Sequence, residues 1–296
     1  MRLLVTGQSG QLAMSLAERA TRHPDIELVA LGRPALDFAD LDAIAPAVER
    51  TGPDIVVNAA AYTAVEKAED ESDAARRINA EAAGEVARAA RNAGAPVIQI
   101  STDYVFDGAK GAPYVETDAT APLNVYGRTK LEGEHAVAAA NPRYYVFRTA
   151  WVYSPFGANF VKTMLRLATE RDEVAVVADQ YGNPTAALDL ADAILAAAKT
   201  IGAPGAGPPP GIYHVAGTGD ATWHDFATEI FAANRDLTGT TTRARPIGHA
   251  EFPIRARRPA DSRLECSLFT DAFGHKLPDW RTSVRECVHR LVAAGA

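Results

Sequence analysis

Cysteine is scarce in this chain: Cys266 and Cys287 are the two among 296 residues. Two thiols far apart in sequence cannot build a disulfide framework, metal ligation by cysteine is not expected, and a reducing compartment fits. Basic charge is also in deficit. Thirty Lys and Arg against 37 Asp and Glu leave a net charge of −7, which excludes a strongly basic nucleic-acid binder. No apolar run approaches the roughly 18 residues that a membrane span needs, so neither nucleic acid nor membrane is expected as a partner. Met1 to Gly10 has the pattern of a strand and its turn, not of a charged and then apolar leader, and a cytoplasmic chain is expected. What is abundant is the material of a globular core: 47% of residues are hydrophobic and 23% charged, which excludes wholesale disorder.

In the first half, short apolar runs alternate with helical stretches. Residues 2–6, 27–31, 54–58, 96–101 and 144–149 are strand candidates. Helices are expected over 13–22, 41–50, 74–92 and, beyond Lys130, to Ala140. Near-continuous apolar strands separated by helices imply a parallel sheet covered on both faces. The second half is less regular. It offers a short strand at 174–177, an alanine-rich helix over 187–200, a strand at 212–215, and helices over 225–234 and 283–293. Residues 202–211 (GAPGAGPPPG) read as an exposed loop, because proline lacks the amide donor and glycine favours turns.

The turn after the first strand is Thr6-Gly7-Gln8-Ser9-Gly10-Gln11-Leu12-Ala13. Glycines here let a dinucleotide pyrophosphate approach the backbone amides, and a helix N-terminus supplies positive partial charge. The spacing is a relative of the G-x-G-x-x-G fingerprint, with Ala13 small enough for close packing of helix on strand. The second strand ends in Leu31-Gly32-Arg33, without the carboxylate that grips the ribose 2′-hydroxyl of NAD. Arg33 suits a 2′-phosphate, which favours NADPH and leaves NADH possible; otherwise it is a solvated surface arginine. Asp37 suits the adenine side, and Asp40 a helix cap.

Tyr126 and Lys130 stand four apart at the start of a helix, on one face. A neighbouring ammonium lowers the pKa of a tyrosine and fits it for acid–base work, so Lys130 is expected to tune Tyr126. Thr102 lies just past the fourth strand, where open α/β sheets bind ligands, and can donate to a substrate carbonyl oxygen. Asn58-Ala59-Ala60-Ala61-Tyr62 follows the third strand with small residues that leave room for a cofactor. Glycine turn, Thr102, Tyr126 and Lys130 together describe a carbonyl reductase or alcohol dehydrogenase.

The blocks NAAAYTAVEKAE (58–69), STDYVFDG (101–108), ETDATAPLNVYGRTKLEGE (116–134), FRTAWVYSPFGANF (147–160), DQYGNPT (179–185) and RRPADSRL (257–264) carry a resemblance that runs nearly end to end. The chain resembles the extended short-chain dehydrogenase/reductases, and among them the dTDP-4-dehydrorhamnose reductase family. The resemblance implies a Rossmann-type, doubly wound α/β fold. Residues 1–150 would be the NADP-binding domain, with roughly 160–200 returning to it, and 151–296 mainly a smaller C-terminal substrate-binding lobe. It implies NADPH-dependent reduction of the 4-keto group of a dTDP-linked deoxysugar, giving dTDP-L-rhamnose. Thr102, Tyr126 and Lys130 would be the catalytic trio. Gly7, Gly10, Gln11, Leu12, Arg33, Asp37, Phe38, Ala60, Ala61 and Tyr62 would hold the cofactor, together with Tyr126 and Lys130. Thr102, Asp103, Tyr126, Trp151, Asn159 and Arg258 would meet the sugar nucleotide. The basic island Arg255, Arg257 and Arg258 suits a diphosphate, because guanidinium forks match phosphate oxygens.

Ala13, Glu66 and Asp261 depart from the family's frequent Gly, Asp and Asn. Some members bind Mg²⁺ at a dimer interface through glutamates, but the stretch Ala186 to Leu190 has none. No metal site is therefore expected, and a monomer or weak homodimer is. Two alternatives stay open: a reductase or epimerase of another sugar nucleotide, and a non-catalytic NADP-binding regulatory subunit.

Overall fold

The computed structural model describes residues 1–203, 205, 207–252 and 255–295. Six parallel strands form the main sheet: β1 (Arg2–Thr6), β2 (Glu27–Leu31), β3 (Ile55–Asn58), β4 (Val97–Thr102), β5 (Tyr144–Thr149) and a later strand, Gly211–His214. Their spatial order is Gly211–His214, β5, β4, β3, β1, β2. The order reverses between β1 and β3, and a crevice opens there beyond the carboxyl ends of the strands.

Alternation along β1 explains the two-faced burial. Leu3 and Val5 pack with Ile55, Val57 and Phe147 against helices α1 (Gln11–Ala20) and Ala187–Gly202. Leu4 points the other way, with Val56 and Val97, onto α2 (Ile44–Thr51), α3 (Ala82–Asn92) and α4 (Val125–Ala140). A second hydrophobic cluster lies apart from the sheet. It joins α5 (Phe160–Glu170), Val174 and Val176, Phe226 and Ile230, and Trp280, Val284 and Val288. Of the stretch 160–200, helix Ala187–Gly202 thus packs on the parallel sheet, whereas α5 packs into the second cluster.

The structure differs from the sequence reading in several elements, among them the following. The helix expected over 74–92 is interrupted by a π-helical turn, Arg77–Glu81. Buried Asn79 sits in it, accepting from the Tyr62 N–H at 2.8 Å and donating to the Tyr62 carbonyl and to Thr129 Oγ1 at 3.1 Å. Helix α5, capped by Asn159, and strand Arg243–Ile247 lie outside the expected elements. That strand pairs in parallel with Glu173–Val177 although it carries Pro246, because among the described residues it has no neighbour on its other side. In the 202–211 loop the helix runs to Gly202 and the next strand starts at Gly211; Pro204 and Ala206 lie outside the described residues.

Candidate active site

A cleft of about 930 Å³ follows the carboxyl ends of β1, β2, β3, β4 and β5. A buried side-chain ladder fixes those ends against one another. Thr6 Oγ1 donates to Asn58 Oδ1 at 2.5 Å, and Asn58 Nδ2 donates to Gln99 Oε1 at 2.7 Å. Three neighbouring strands are locked in register immediately beneath the cleft.

At one end lies the glycine turn. Gly7 has a φ of +89°, which an L side chain rarely adopts. Gly10 caps α1, with no side chain bonded to the first-turn amides and no acidic residue in that turn. A Cβ built on Gly10 would stand in open cleft. The arrangement is an open, positively polarised helix N-terminus, and it fits a pyrophosphate. Gln11 and Leu12 line the cleft but spend their side chains elsewhere. Leu12 is buried in the core, and Gln11 Oε1 accepts from Ser154 Oγ and Asn159 Nδ2, each at 3.0 Å. Arg33, Asp37 and Phe38 line the far wall; Arg33 is exposed and has no ion-pair partner among the described residues. Ala60 and Ala61 form the middle.

At the other end Thr102, Asp103, Tyr126, Lys130 and Trp151 come together. Helix α4 can approach β4 this closely because residue 127 is glycine: a Cβ there would overlap the Tyr104 carbonyl. Asn124 caps the helix, accepting from Gly127 N at 2.7 Å. Tyr126 then lies edge-on to Tyr104, with ring centroids 5.9 Å apart. Lys130 Nζ donates to the Ile100 carbonyl at 2.6 Å. Thr102 Oγ1 donates to Asp103 Oδ1 at 3.0 Å and accepts from the Tyr104 N–H at 3.2 Å.

Burial governs the charges here. It pushes the Tyr126 phenol up to about 12, with the Thr102 hydroxyl moderating the rise. The lowering expected from Lys130 is therefore reversed. Desolvation of the phenolate outweighs any ammonium effect, and burial brings Lys130 itself down to about 8, opposed by Glu134. Tyr126 is a neutral phenol near neutral pH, the state a proton donor requires. Burial likewise raises Asp103 to about 6, held back by hydrogen bonds from Ser262 and Thr102.

Three predicted residues stand outside the cleft lining. Tyr62 donates from its hydroxyl to Glu71 Oε2 at 2.6 Å. Asn159 uses its carboxamide to cap α5 and to hold Gln11. Arg258 pairs with Glu66 Oε1 at 3.3 Å, and Arg255 pairs bidentately with Asp70, so the basic island is largely spent on carboxylates of the chain itself. Conversely, the cleft contains Thr149, which the sequence reading missed. It ends β5 directly opposite Thr102, and its buried hydroxyl has no partner among the described residues. The strand-end rule that selected Thr102 points equally to Thr149.

Residues 1–293 match the family described as RmlD substrate binding domain. The chain belongs to this family. A curated dTDP-4-dehydrorhamnose reductase of Sinorhizobium fredii is 48% identical over 295 residues, spanning 100% of this chain and 99% of that protein. The crystal structure of a dTDP-4-dehydrorhamnose reductase from Clostridium acetobutylicum superposes with a TM-score of 0.91 at 38% identity, covering 99% of this chain and 100% of that one. That of the Bacillus anthracis enzyme, in complex with NADP, gives 0.89 at 35% identity, covering 98% and 99%. As in these relatives, a Rossmann-type parallel sheet carries the cleft. No helix among the described residues is long and apolar enough to cross a membrane.

Proposed function

We propose that this chain is a dTDP-4-dehydrorhamnose reductase: it reduces the 4-keto group of dTDP-4-dehydro-6-deoxy-L-mannose with NADPH, giving dTDP-L-rhamnose. The observation that carries the reading is the convergence of Thr102, Tyr126 and Lys130 at one end of a cleft whose other end is an open helix N-terminus. The full-length identity to reductases of that name supports it. The residues fit the cofactor. Gly7, Gly10 and the amides of Gln11 and Leu12 would take the pyrophosphate. Arg33 would take the 2′-phosphate, Asp37 and Phe38 the adenosine, and Ala60 and Ala61 the middle. When bound, NADPH supplies the hydride.

The protein's own part is positioning and proton transfer. Thr102, held beside Asp103 and the Tyr104 amide, polarises the carbonyl oxygen by turning its one hydroxyl proton from Asp103 to the substrate. Tyr126 donates its phenolic proton to that oxygen as negative charge develops there; an alkoxide is far more basic than a phenolate of pKa about 12. Lys130, a buried donor one helical turn away, holds the strand end through Ile100 and steadies the phenolate left behind. Asp103 and Trp151 bound the sugar end. Asp189, the acidic residue in the stretch 186–190, accepts from Ser283, and we assign it no metal. A soluble nucleotide-sugar substrate suits the cytoplasm.

The test follows reduced-nicotinamide absorbance with enzymatically generated substrate, with NADPH, with NADH, and with a chelator. Stoichiometric NADPH consumption with formation of dTDP-L-rhamnose, undiminished by chelator, is expected. Sugar conversion without net NADPH consumption would make the chain an epimerase. NADPH binding without any turnover would favour a regulatory subunit.

A further inference from the structure

We infer that Trp223, outside the cleft, is a specificity-determining positioning residue: its indole is the platform that fixes Trp151 at the sugar end. This rests on the reading that the sugar lies beside Thr102 and Tyr126. Trp151 is the one non-glycine residue with positive φ, +46°, among the described residues. Such a conformation is strained and persists only where the surroundings over-determine it.

The surroundings do so from both sides. The Trp151 and Trp223 rings stack with centroids 3.6 Å apart and planes within 8°. Across from this stack, Gly182 presents bare backbone; a Cβ there would overlap the Trp151 ring. Main-chain pairing sets both contacts. Gly182 pairs with Ala221, Tyr181 with Thr222, and Trp223 follows as the first residue of its helix. A capping box between Thr222 and Asp225 fixes that helix start. Phe160, the first residue of α5, braces Trp223 from beyond, with ring centroids 4.8 Å apart. Trp151 is thus a prebuilt wall of the cleft, and its rotameric freedom is removed before any ligand binds. A rigid indole wall suits the apolar carbon face of a deoxyhexose, and prepaid ordering shows in binding, not in the chemical step.

The proposal is tested with Trp223→Leu, Trp223→Phe, Gly182→Ala and Trp151→Phe variants of the full chain. Trp223→Leu and Gly182→Ala should raise KM for the sugar nucleotide about 3- to 10-fold, the range an aromatic pair supplies. Their kcat should stay within about twofold and NADPH affinity should not move, a split that general destabilisation would not produce. Trp223→Phe keeps the second core filled and should give a smaller rise, so a folding failure of the leucine variant does not end the test. Stacked indoles should give an exciton couplet in circular dichroism. It should vanish in Trp223→Leu and Trp151→Phe, and shift in the wild type when dTDP-L-rhamnose is added. If Trp151→Phe raises KM but Trp223→Leu abolishes the couplet with KM unchanged, the platform has no role in specificity and the inference is overturned. If Trp151→Phe also leaves KM unchanged, the placement of the sugar falls and the inference with it.

Discussion

Ser262 Oγ donates to Asp103 Oδ2 at 2.6 Å, 159 residues away in sequence, and both groups are buried. Asp103 Oδ1 accepts from Thr102 in turn. One carboxylate therefore ties the RRPADSRL segment to the hydroxyl we assign to carbonyl polarisation. The two hydrogen bonds offset only part of the cost of burying its charge, and burial leaves the carboxyl raised to about 6.

That shift sets a pH dependence of stability. A carboxyl whose folded pKa lies above its unfolded value favours the fold fully below about pH 4. The contribution is lost as pH rises through about 6. The swing amounts to roughly 3 kcal/mol. Asp103→Asn has no such titration. Urea unfolding at several pH values should show the wild type losing about that much relative to Asp103→Asn between about pH 4 and pH 7. Parallel stability curves for the two proteins would contradict a raised Asp103.

Tyr126→Phe removes the proposed proton donor and its contact with the Thr102 hydroxyl, and leaves the ring packed edge-on against Tyr104. Turnover should fall by about 100- to 10,000-fold. KM and NADPH affinity should stay near wild type, because the phenolic proton acts as charge develops and not in the ground state. Steady-state kinetics with a fluorescence titration of NADPH separate these quantities. Near-full turnover would remove Tyr126 from the chemistry.

Legibility in the sequence followed locality. β1 and β5 fall on the expected residues because strands buried on both faces read as near-continuous apolar runs. Thr102, Tyr126 and Lys130 could be selected from strand-end position and helical spacing alone. Arg258 could not be placed, because its partner Glu66 lies 192 residues away and no local pattern encodes the pairing. Asn159 looked like a sugar ligand, yet its carboxamide is consumed by the start of α5. Strand Arg243–Ile247 was hidden by Pro246 and exposed arginines, since an edge strand needs neither a donor at every residue nor a buried face.

We propose that cofactor choice depends on Arg33. β2 ends without a carboxylate, and Arg33 stands exposed at the cleft wall with no ion-pair partner among the described residues. Arg33→Ala should weaken NADPH about 10-fold, the loss of one charge-assisted contact at an exposed site, and leave NADH nearly untouched. The ratio of the two dissociation constants, measured by fluorescence titration, is the readout. Equal weakening of both cofactors would assign Arg33 to the shared part of the dinucleotide.

The Glu134–Arg148 pair is buried to about 2% exposure on each side. Glu134 sits one turn beyond Lys130 on α4, accepts from Ser101 Oγ at 2.5 Å, and takes Arg148 Nε and Nη2 at 2.9 and 2.7 Å. Among the described residues no other acid bonds the guanidinium and Nη1 lacks a partner; its remaining face lies over the Phe106 ring. His214, paired with Arg148 in the strand register, stays neutral, pushed down to about 3 by burial and by Arg148. Glu134→Gln therefore strands a buried cation and should cost about 3–5 kcal/mol in urea unfolding, a large share of the roughly 5–15 kcal/mol that holds a typical protein folded. Glu134→Gln with Arg148→Met removes both charges and should recover most of that loss. If the double variant is no more stable than Glu134→Gln alone, the cost does not lie in an unpaired charge.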